Sequence, residues 1–218
     1  MKKSNDYIAI IDYQLSNLFS VKHALDSLKV NSVITSDPKV ILKAKAAILP
    51  GVGAFGDAMN NLKKLNLIDP IKQFIKTEKP FMGVCLGLQL LFSTSFEFGQ
   101  HQGLNIIKGQ VKKFPKLNSQ QLLIISPQIT WNQIYHQKTN QNNWQSSPLS
   151  TLKNHQYMYF VHSYYVQPED NNLICSYTDY SNFKYCSSLI SKNIFAVQFH
   201  PEKSGPQGIE IYSNWIYN

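Results

Sequence analysis

Arginine is absent from this chain. All 21 basic residues among its 218 are lysine, so the side chain that most often grips phosphate or guanine through two parallel hydrogen bonds is missing. The formal net charge is +8, but the lysines are dispersed, with only short pairs such as Lys63-Lys64 and Lys112-Lys113. No nucleic-acid partner is expected, and the charge leaves open an acidic protein partner. Cysteine is scarce too. Three cysteines without a Cys-x-x-Cys pair exclude a disulfide framework and a zinc site of the usual spacing, and they suit a reducing cytoplasm. Long apolar runs are lacking, so no membrane span is expected. The short apolar run near the N-terminus is interrupted by Asp12 and lacks a small-residue cleavage site, which makes it a first strand and not a leader. There are no heptads and no internal repeat. No metal and no cofactor are expected.

What is present is a chain with 43% apolar and 16% charged residues, enough to bury the core of one α/β domain spanning 1–218. Tyr7–Asp12, Asn31–Thr35, Ala46–Leu49 and Phe81–Val84 read as strands. A helix with Leu18, Val21, Leu25 and Leu28 on one face, capped by Ser16 or Asn17, follows the first. One or two helices between Asp57 and Lys76, broken at Asp69-Pro70, precede the fourth. This alternation predicts a three-layer α/β fold with a mixed, mostly parallel sheet flanked by helices. The second half is rich in β-branched and aromatic residues. Val111–Phe114, Leu122–Ile125, Trp131–His136, Tyr157–Val166, Leu173–Tyr180 and Phe183–Ile190 read as an antiparallel extension of the same sheet. Lys138–Ser147 reads as a polar surface loop, and Gly208–Ile216 as a closing helix.

Two motifs carry chemistry. Gly83-Val84-Cys85-Leu86-Gly87 follows a hydrophobic run and precedes a helix-forming run, Leu88 to Phe92. Gly-x-Cys-x-Gly is the thiol counterpart of the turn that exposes a nucleophilic serine between a strand and a helix. A cysteine there sits at a helix N-terminus, where backbone N–H groups favour the thiolate. The second motif is His200-Pro201-Glu202, at the end of the extended run Ile194–Phe199. A thiol nucleophile needs a base and the base needs an orienting group. His200 and Glu202, two apart on a strand, would leave it on one face. His23, His101, His136 and His155 have no motif around them and read as surface residues.

Four segments together resemble the class I, triad-type glutamine amidotransferases: Pro50–Met59, Gly83–Phe92, Phe160–Tyr165 and Gln198–Ser204. The similarity is strongest to the branch whose glutaminase subunits pass ammonia to a (β/α)8-barrel cyclase in histidine biosynthesis. A paralogous role, supplying ammonia for amidation of a surface-polysaccharide sugar, is the alternative. The resemblance implies that Cys85 attacks glutamine, that His200 moves the proton and that Glu202 orients the imidazole. It implies oxyanion donors from Leu86 N–H and from the loop Gly51-Val52-Gly53, one peptide of which reorients. It assigns L-glutamine to Gln89, Glu97 and the His162-Ser163-Tyr164 segment. It assigns Ile129, Thr130, Trp131, Asn132 and Lys203 to a partner interface, making the protein half of a heterodimer that channels ammonia. Only sixteen residues follow Glu202, consistent with an acceptor domain on a separate chain.

The resemblance has gaps. The family pattern Asp-Tyr-Gly-x-Gly-Asn stands here as Asp12-Tyr13-Gln14-Leu15-Ser16-Asn17, and Pro-His-Met-Gly-Trp-Asn as Pro127-Gln128-Ile129-Thr130-Trp131-Asn132. These changes bear on the acceptor and not on the hydrolysis. A cysteine peptidase or γ-glutamyl hydrolase sharing the elbow is disfavoured by Gln89 and the Pro50–Gly53 loop. A non-catalytic binding subunit is disfavoured by the complete Cys85, His200, Glu202 set.

Overall fold

A computed structural model of the chain describes residues 6–15 and 17–217. The first half alternates as its periodicity predicts: β1 (Ile8–Ile11), α1 (Leu18–Ser27), β2 (Ser32–Thr35), α2 (Pro38–Lys43), β3 (Ala46–Leu49), α3 (Phe55–Lys64), α4 (Ile68–Lys76), β4 (Phe81–Val84) and α5 (Leu86–Leu90). There follow β5 (Phe92–Ser95), β6 (His101–Gln102), β7 (Ile107–Lys113), β8 (Gln128–Ile134), α6 (Gln141–Gln145), β9 (Gln156–His162), β10 (Tyr164–Pro168), β11 (Ile174–Tyr180), β12 (Phe183–Ser191), β13 (Ile194–Val197) and α7 (Gly205–Tyr217).

Eleven strands form one mixed sheet in the order β2-β1-β3-β4-β13-β12-β10-β7-β5-β6, with β11 paired to β12. From β2 to β13 the pairs are parallel. From β13 through β12 and β10 to β7 they are antiparallel. Of the parallel strands, β1, β3, β4 and β13 are buried on both faces, which is why they read as unbroken apolar runs. Their alternate residues enter two separate cores. Ala9, Ile11, Ala47, Leu49, Phe81 and Ala196 join Ile41, Phe55, Leu62, Ile71 and Phe74 of α2, α3 and α4 on one side. Ile8, Ile10, Ala46, Ile48, Met82 and Val197 join Val21 and Leu25 of α1 and Ile211, Tyr212 and Trp215 of α7 on the other. The expected three layers are therefore real, with helices covering both faces. Among the described residues no helix is long and apolar enough to cross a membrane.

Several expectations need correction. The strands of the second half do not all extend the main sheet: β8 and β9 pair with each other in a separate ribbon. The expected strand Tyr157–Val166 is interrupted at Ser163, leaving β9 in the ribbon and β10 in the main sheet. Leu122–Ile125 forms no strand and makes only an isolated bridge, Leu117 to Leu123. Lys138–Ser147 is not a loop. It folds into a 3-10 turn and α6, because Trp144 is an apolar anchor buried in the second core. The helix break falls at Leu65–Leu67, and Pro70 lies in the first turn of α4, where a missing N–H removes no intrahelical bond. The elbow helix α5 lasts five residues, and Phe92 opens a strand. At α1 Asn17 occupies the cap position, but its side chain accepts from the Ser20 hydroxyl (2.9 Å) and not from a backbone N–H; Ser16, the other candidate cap, lies outside the described residues.

Candidate active site

Cys85 sits between β4 and α5 with φ +54° and ψ −109°. A non-glycine residue in that region is strained, and here the strain turns the chain from strand to helix in one residue. The turn needs bare backbone behind it. A methyl group at Gly87 would come within 1.7 Å of the Leu49 carbonyl oxygen, and one at Gly83 within 3.1 Å of the Gly87 backbone. Cys85 Sγ is 3.9 Å from the Val161 carbonyl and 3.7 Å from Gln198 Nε2, which donates to it.

Because β13 lies beside β4 in the sheet, the segment after β13 meets the elbow. His200 is extended, and Pro201–Lys203 form a 3-10 turn. Glu202 therefore does not share a strand face with His200 as its spacing suggested; the turn folds its carboxylate back, placing Oε1 2.7 Å from His200 Nδ1. The Tyr212 hydroxyl approaches Glu202 Oε2 at 3.4 Å. The His200 main chain is pinned as well: its N–H donates to the Tyr159 carbonyl at 3.0 Å, and its carbonyl accepts from the Ser204 hydroxyl at 2.7 Å. With Nδ1 committed to Glu202, Nε2 is the free ring nitrogen, and it has no hydrogen-bond partner among the described residues. Burial disfavours the imidazolium, but the charge of Cys85 and the Glu202 carboxylate outweigh it and raise the His200 pKa to about 10. The site thus favours a proton on His200, placing a charged imidazole beside the candidate nucleophile.

A cavity of about 160 Å³ opens beside the thiol, lined by Val52, Gly53, Cys85, Leu86, Gln89, Glu97, Val161, His162, Ser163 and Tyr164. Gln89 is buried, and its amide nitrogen donates to the Tyr164 carbonyl (3.0 Å) and to Gln198 Oε1 (3.1 Å). Both amide hydrogens are spent on the protein, leaving the carbonyl oxygen for a ligand. Glu97 Oε2 accepts from the Phe55 N–H at the start of α3 at 2.6 Å, leaving its other oxygen free; burial raises its pKa despite that hydrogen bond. His162 is not a proton-transfer group. Burial lowers its pKa to about 4, so it is neutral, with Nδ1 2.8 Å from the Tyr164 carbonyl and Nε2 3.3 Å from the Tyr185 hydroxyl. Gln198, given no role from the sequence, bridges Gln89 and Cys85. Its position two residues before His200 was the available signal, since residues two apart in an extended segment share a face.

The Pro50–Gly53 loop lies against the elbow in a telling arrangement. Leu86 N–H, directly after Cys85, donates to the Gly51 carbonyl at 3.3 Å, and Val52 N–H donates to the Leu15 carbonyl at 3.1 Å. Leu15 lies in the segment that departs from the family pattern. There Gln14 adopts φ +69°, a glycine-like conformation held by its N–H to Asp12 Oδ1 (2.8 Å).

The ribbon β8–β9 stands next to the His200 segment. Ile129, Thr130, Trp131 and Lys203 are exposed, Trp131 packs edge-on to Tyr159 at 6.1 Å, and the Lys203 ammonium lies 6.0 Å over the same ring. Asn132 is committed within the chain, donating to the Asp179 carbonyl at 2.8 Å. Gln128 is buried and accepts from Tyr185 at 2.9 Å. His101 and His136 are half-buried and not surface residues, one lying against Gly56 and the other against Trp144. A larger cavity of about 390 Å³, lined in part by Glu78, Pro80, Lys192 and Ile194, lies at the opposite ends of β4 and β13. Its lining holds neither a cysteine nor a histidine, so chemistry and not size identifies the site.

Comparison with known proteins agrees with this geometry. Residues 9–218 match the family described as glutamine amidotransferase class-I. The imidazole glycerol phosphate synthase subunit HisH of Aquifex aeolicus (strain VF5) is 44% identical over 207 residues, covering 94% of this chain and 94% of that protein. The subunit of the same name from Syntrophotalea carbinolica is 41% identical over 210 residues, 95% of this chain and 98% of that protein. Among solved structures, a glutamine amidotransferase superposes with TM-score 0.69 at 11% identity over 96% of each chain. PurLQS from Thermotoga maritima superposes with TM-score 0.68 at 17% identity, covering 96% of this chain and 97% of that one. At such identities the structural matches establish the fold alone.

Proposed function

Because this chain belongs to the class I glutamine amidotransferase family, we propose that it is the glutaminase subunit of an imidazole glycerol phosphate synthase, acting in the cytoplasm as one domain over 1–218. It hydrolyses L-glutamine to glutamate and ammonia and delivers the ammonia to a (β/α)8-barrel cyclase subunit in histidine biosynthesis. The observation that carries the reading is the buried His200–Glu202 pair beside the strained Cys85 elbow, at the mouth of a cavity with one free acceptor each from Gln89 and Glu97. Two acceptors at that depth suit the α-ammonium of an amino acid. The sugar-amidating alternative gains nothing from the relatives, which carry the histidine-branch name.

The chemistry follows from the atoms. The thiolate of Cys85 attacks the side-chain amide carbon of glutamine, and the oxygen becomes an oxyanion. Collapse expels ammonia, protonated by the Nε2 proton of His200, and leaves a thioester. Water, deprotonated by the now neutral His200, hydrolyses the thioester to glutamate and returns the proton to the ring. Glu202 holds the imidazole in the tautomer that presents Nε2 and stabilises its charged form.

The oxyanion hole is shut in this conformation. The Gly51 carbonyl occupies the Leu86 N–H, and the Val52 N–H points to Leu15. Turning over the single Gly51–Val52 peptide would free the first donor and bring in the second. One such donor is worth on the order of 10²–10³ in rate, so docking of the cyclase subunit has a switch of that size available. Glutamate release by this chain, measured alone and with the cyclase subunit carrying its ligand, should rise by roughly that factor. Full activity of the isolated chain, unaltered by the cyclase, would refute partner control; absence of glutamate release in both would refute the glutaminase reading.

A further inference from the structure

One buried polar atom beside the oxyanion loop is left over by this mechanism. Tyr13 follows β1 and its side chain is fully buried in the core under α3. Its hydroxyl has no hydrogen-bond partner among the described residues. The same oxygen lies directly on Gly51: a methyl group built on Gly51 would come within 2.0 Å of it, and within 2.9 Å of Leu86 Cβ. Only glycine allows that approach. The tyrosine is not loosely placed, since Asn61 of α3 donates to its backbone carbonyl at 3.1 Å. A buried hydroxyl without a partner destabilises the fold, and phenylalanine would fill the same space without that cost.

The leftover donor acquires a purpose when the loop moves. Turning the Gly51–Val52 peptide withdraws the Gly51 carbonyl from Leu86 N–H, and that carbonyl must then find another donor or remain buried and unsatisfied. The carbonyl turns toward the side from which Val52 N–H donates to Leu15, and the Leu15 carbonyl, itself an acceptor, cannot serve it. The donor in contact with Gly51 is the Tyr13 hydroxyl. We propose that Tyr13 is a positioning residue of the glutaminase: its hydroxyl donates to the Gly51 carbonyl after the peptide turns, and so holds the loop in its oxyanion-binding form. The inference rests on the loop movement proposed above. The phenol is suited to the task, because burial, and after it the nearby Cys85 charge, raise its pKa and keep it a donor at any working pH. The two conformations of the loop then differ in which polar atoms are unsatisfied, and a partner need shift only a small balance between them.

The test is Tyr13→Phe, compared with wild type as the free chain and in complex with the cyclase subunit and its ligand. Expected are a stimulated kcat for glutamate release about ten-fold lower, the loss of one hydrogen bond made mainly in the active form, with KM for glutamine and affinity for the cyclase unchanged and Tm equal or higher. Stimulation equal to wild type would remove the role of Tyr13 alone. A lower Tm together with a higher KM would mark the hydroxyl as a packing group and overturn the proposal. A wild type that the cyclase does not stimulate would remove the loop movement, and the role of Tyr13 with it.

Discussion

The parts proposed for Cys85, His200 and Glu202 are unequal, and single substitutions should separate them. Cys85→Ser should lower glutamine hydrolysis by at least about 10³-fold, because a serine hydroxyl is far less readily ionised than a thiol. Free ammonium should still support the cyclase subunit; glutaminase activity retained in that variant would remove Cys85 from its role. Glu202→Gln should keep a weak residual rate, because it leaves the ring in place but favours the wrong tautomer. His162 offers a test that depends on pH. Its buried imidazole has a pKa lowered to about 4 from 6.5. Between those values the unfolded chain binds the extra proton, so stability falls as pH drops from about 6.5 toward 4. The loss from this one residue is about 3 kcal/mol at most. In urea unfolding, the stability advantage of wild type over His162→Gln should shrink across that interval. Parallel curves would show that His162 is not buried in its neutral form.

At the scale of elements, the β4–α5 elbow depends on Gly87. Its α-carbon is packed so closely on β3 that an added methyl would lie 1.7 Å from the Leu49 carbonyl. Gly87→Ala should therefore destabilise the protein by about 2–3 kcal/mol, lowering Tm by roughly 5–10 °C. A Tm within a degree of wild type would mean that β3 and α5 can separate freely. β1, β3, β4 and α1 were readable from their apolar pattern, because burial on two faces or on one stripe writes itself into the residues. The elements that escaped were short or locally ambiguous. α5 was expected to run to Phe92, but β7 claims Phe92 as a partner through its pairing with Ile107. Trp144, one aromatic in a run of asparagine and glutamine, was enough to anchor α6. Neither contest is decided by local preference.

At the scale of the molecule, the exposed apolar residues Ile129 and Trp131 on the β8–β9 ribbon adjoin the segment bearing His200. A partner seated there would be separated from the His200 imidazole by Tyr159, whose ring lies 6.1 Å from that of Trp131 and 6.5 Å from that of His200. Trp131→Ala should weaken binding of the cyclase subunit about ten-fold or more, as expected for an aromatic anchor. Unstimulated glutamine turnover should be little affected. Unchanged affinity would move the docking face elsewhere on the chain.

The chain by itself determined the α/β class, and it singled out the proposed nucleophile, base and orienting acid, because each demands a particular residue type: glycines around a strained elbow, a thiol, an imidazole, a carboxylate. It also pointed to Gln89 and Glu97, through a resemblance that carried their position but not their hydrogen bonds. Tertiary structure decided the rest. Only the adjacency of β4 and β13 brings residues more than a hundred positions apart into one site. Only packing shows that the ribbon leaves the main sheet, that Gln198 bridges Gln89 to the thiol, and that the Leu86 donor is occupied by the Gly51 carbonyl. A peptide plane has two orientations of nearly equal local energy at a glycine, and the choice between them rests with the neighbours it meets in space.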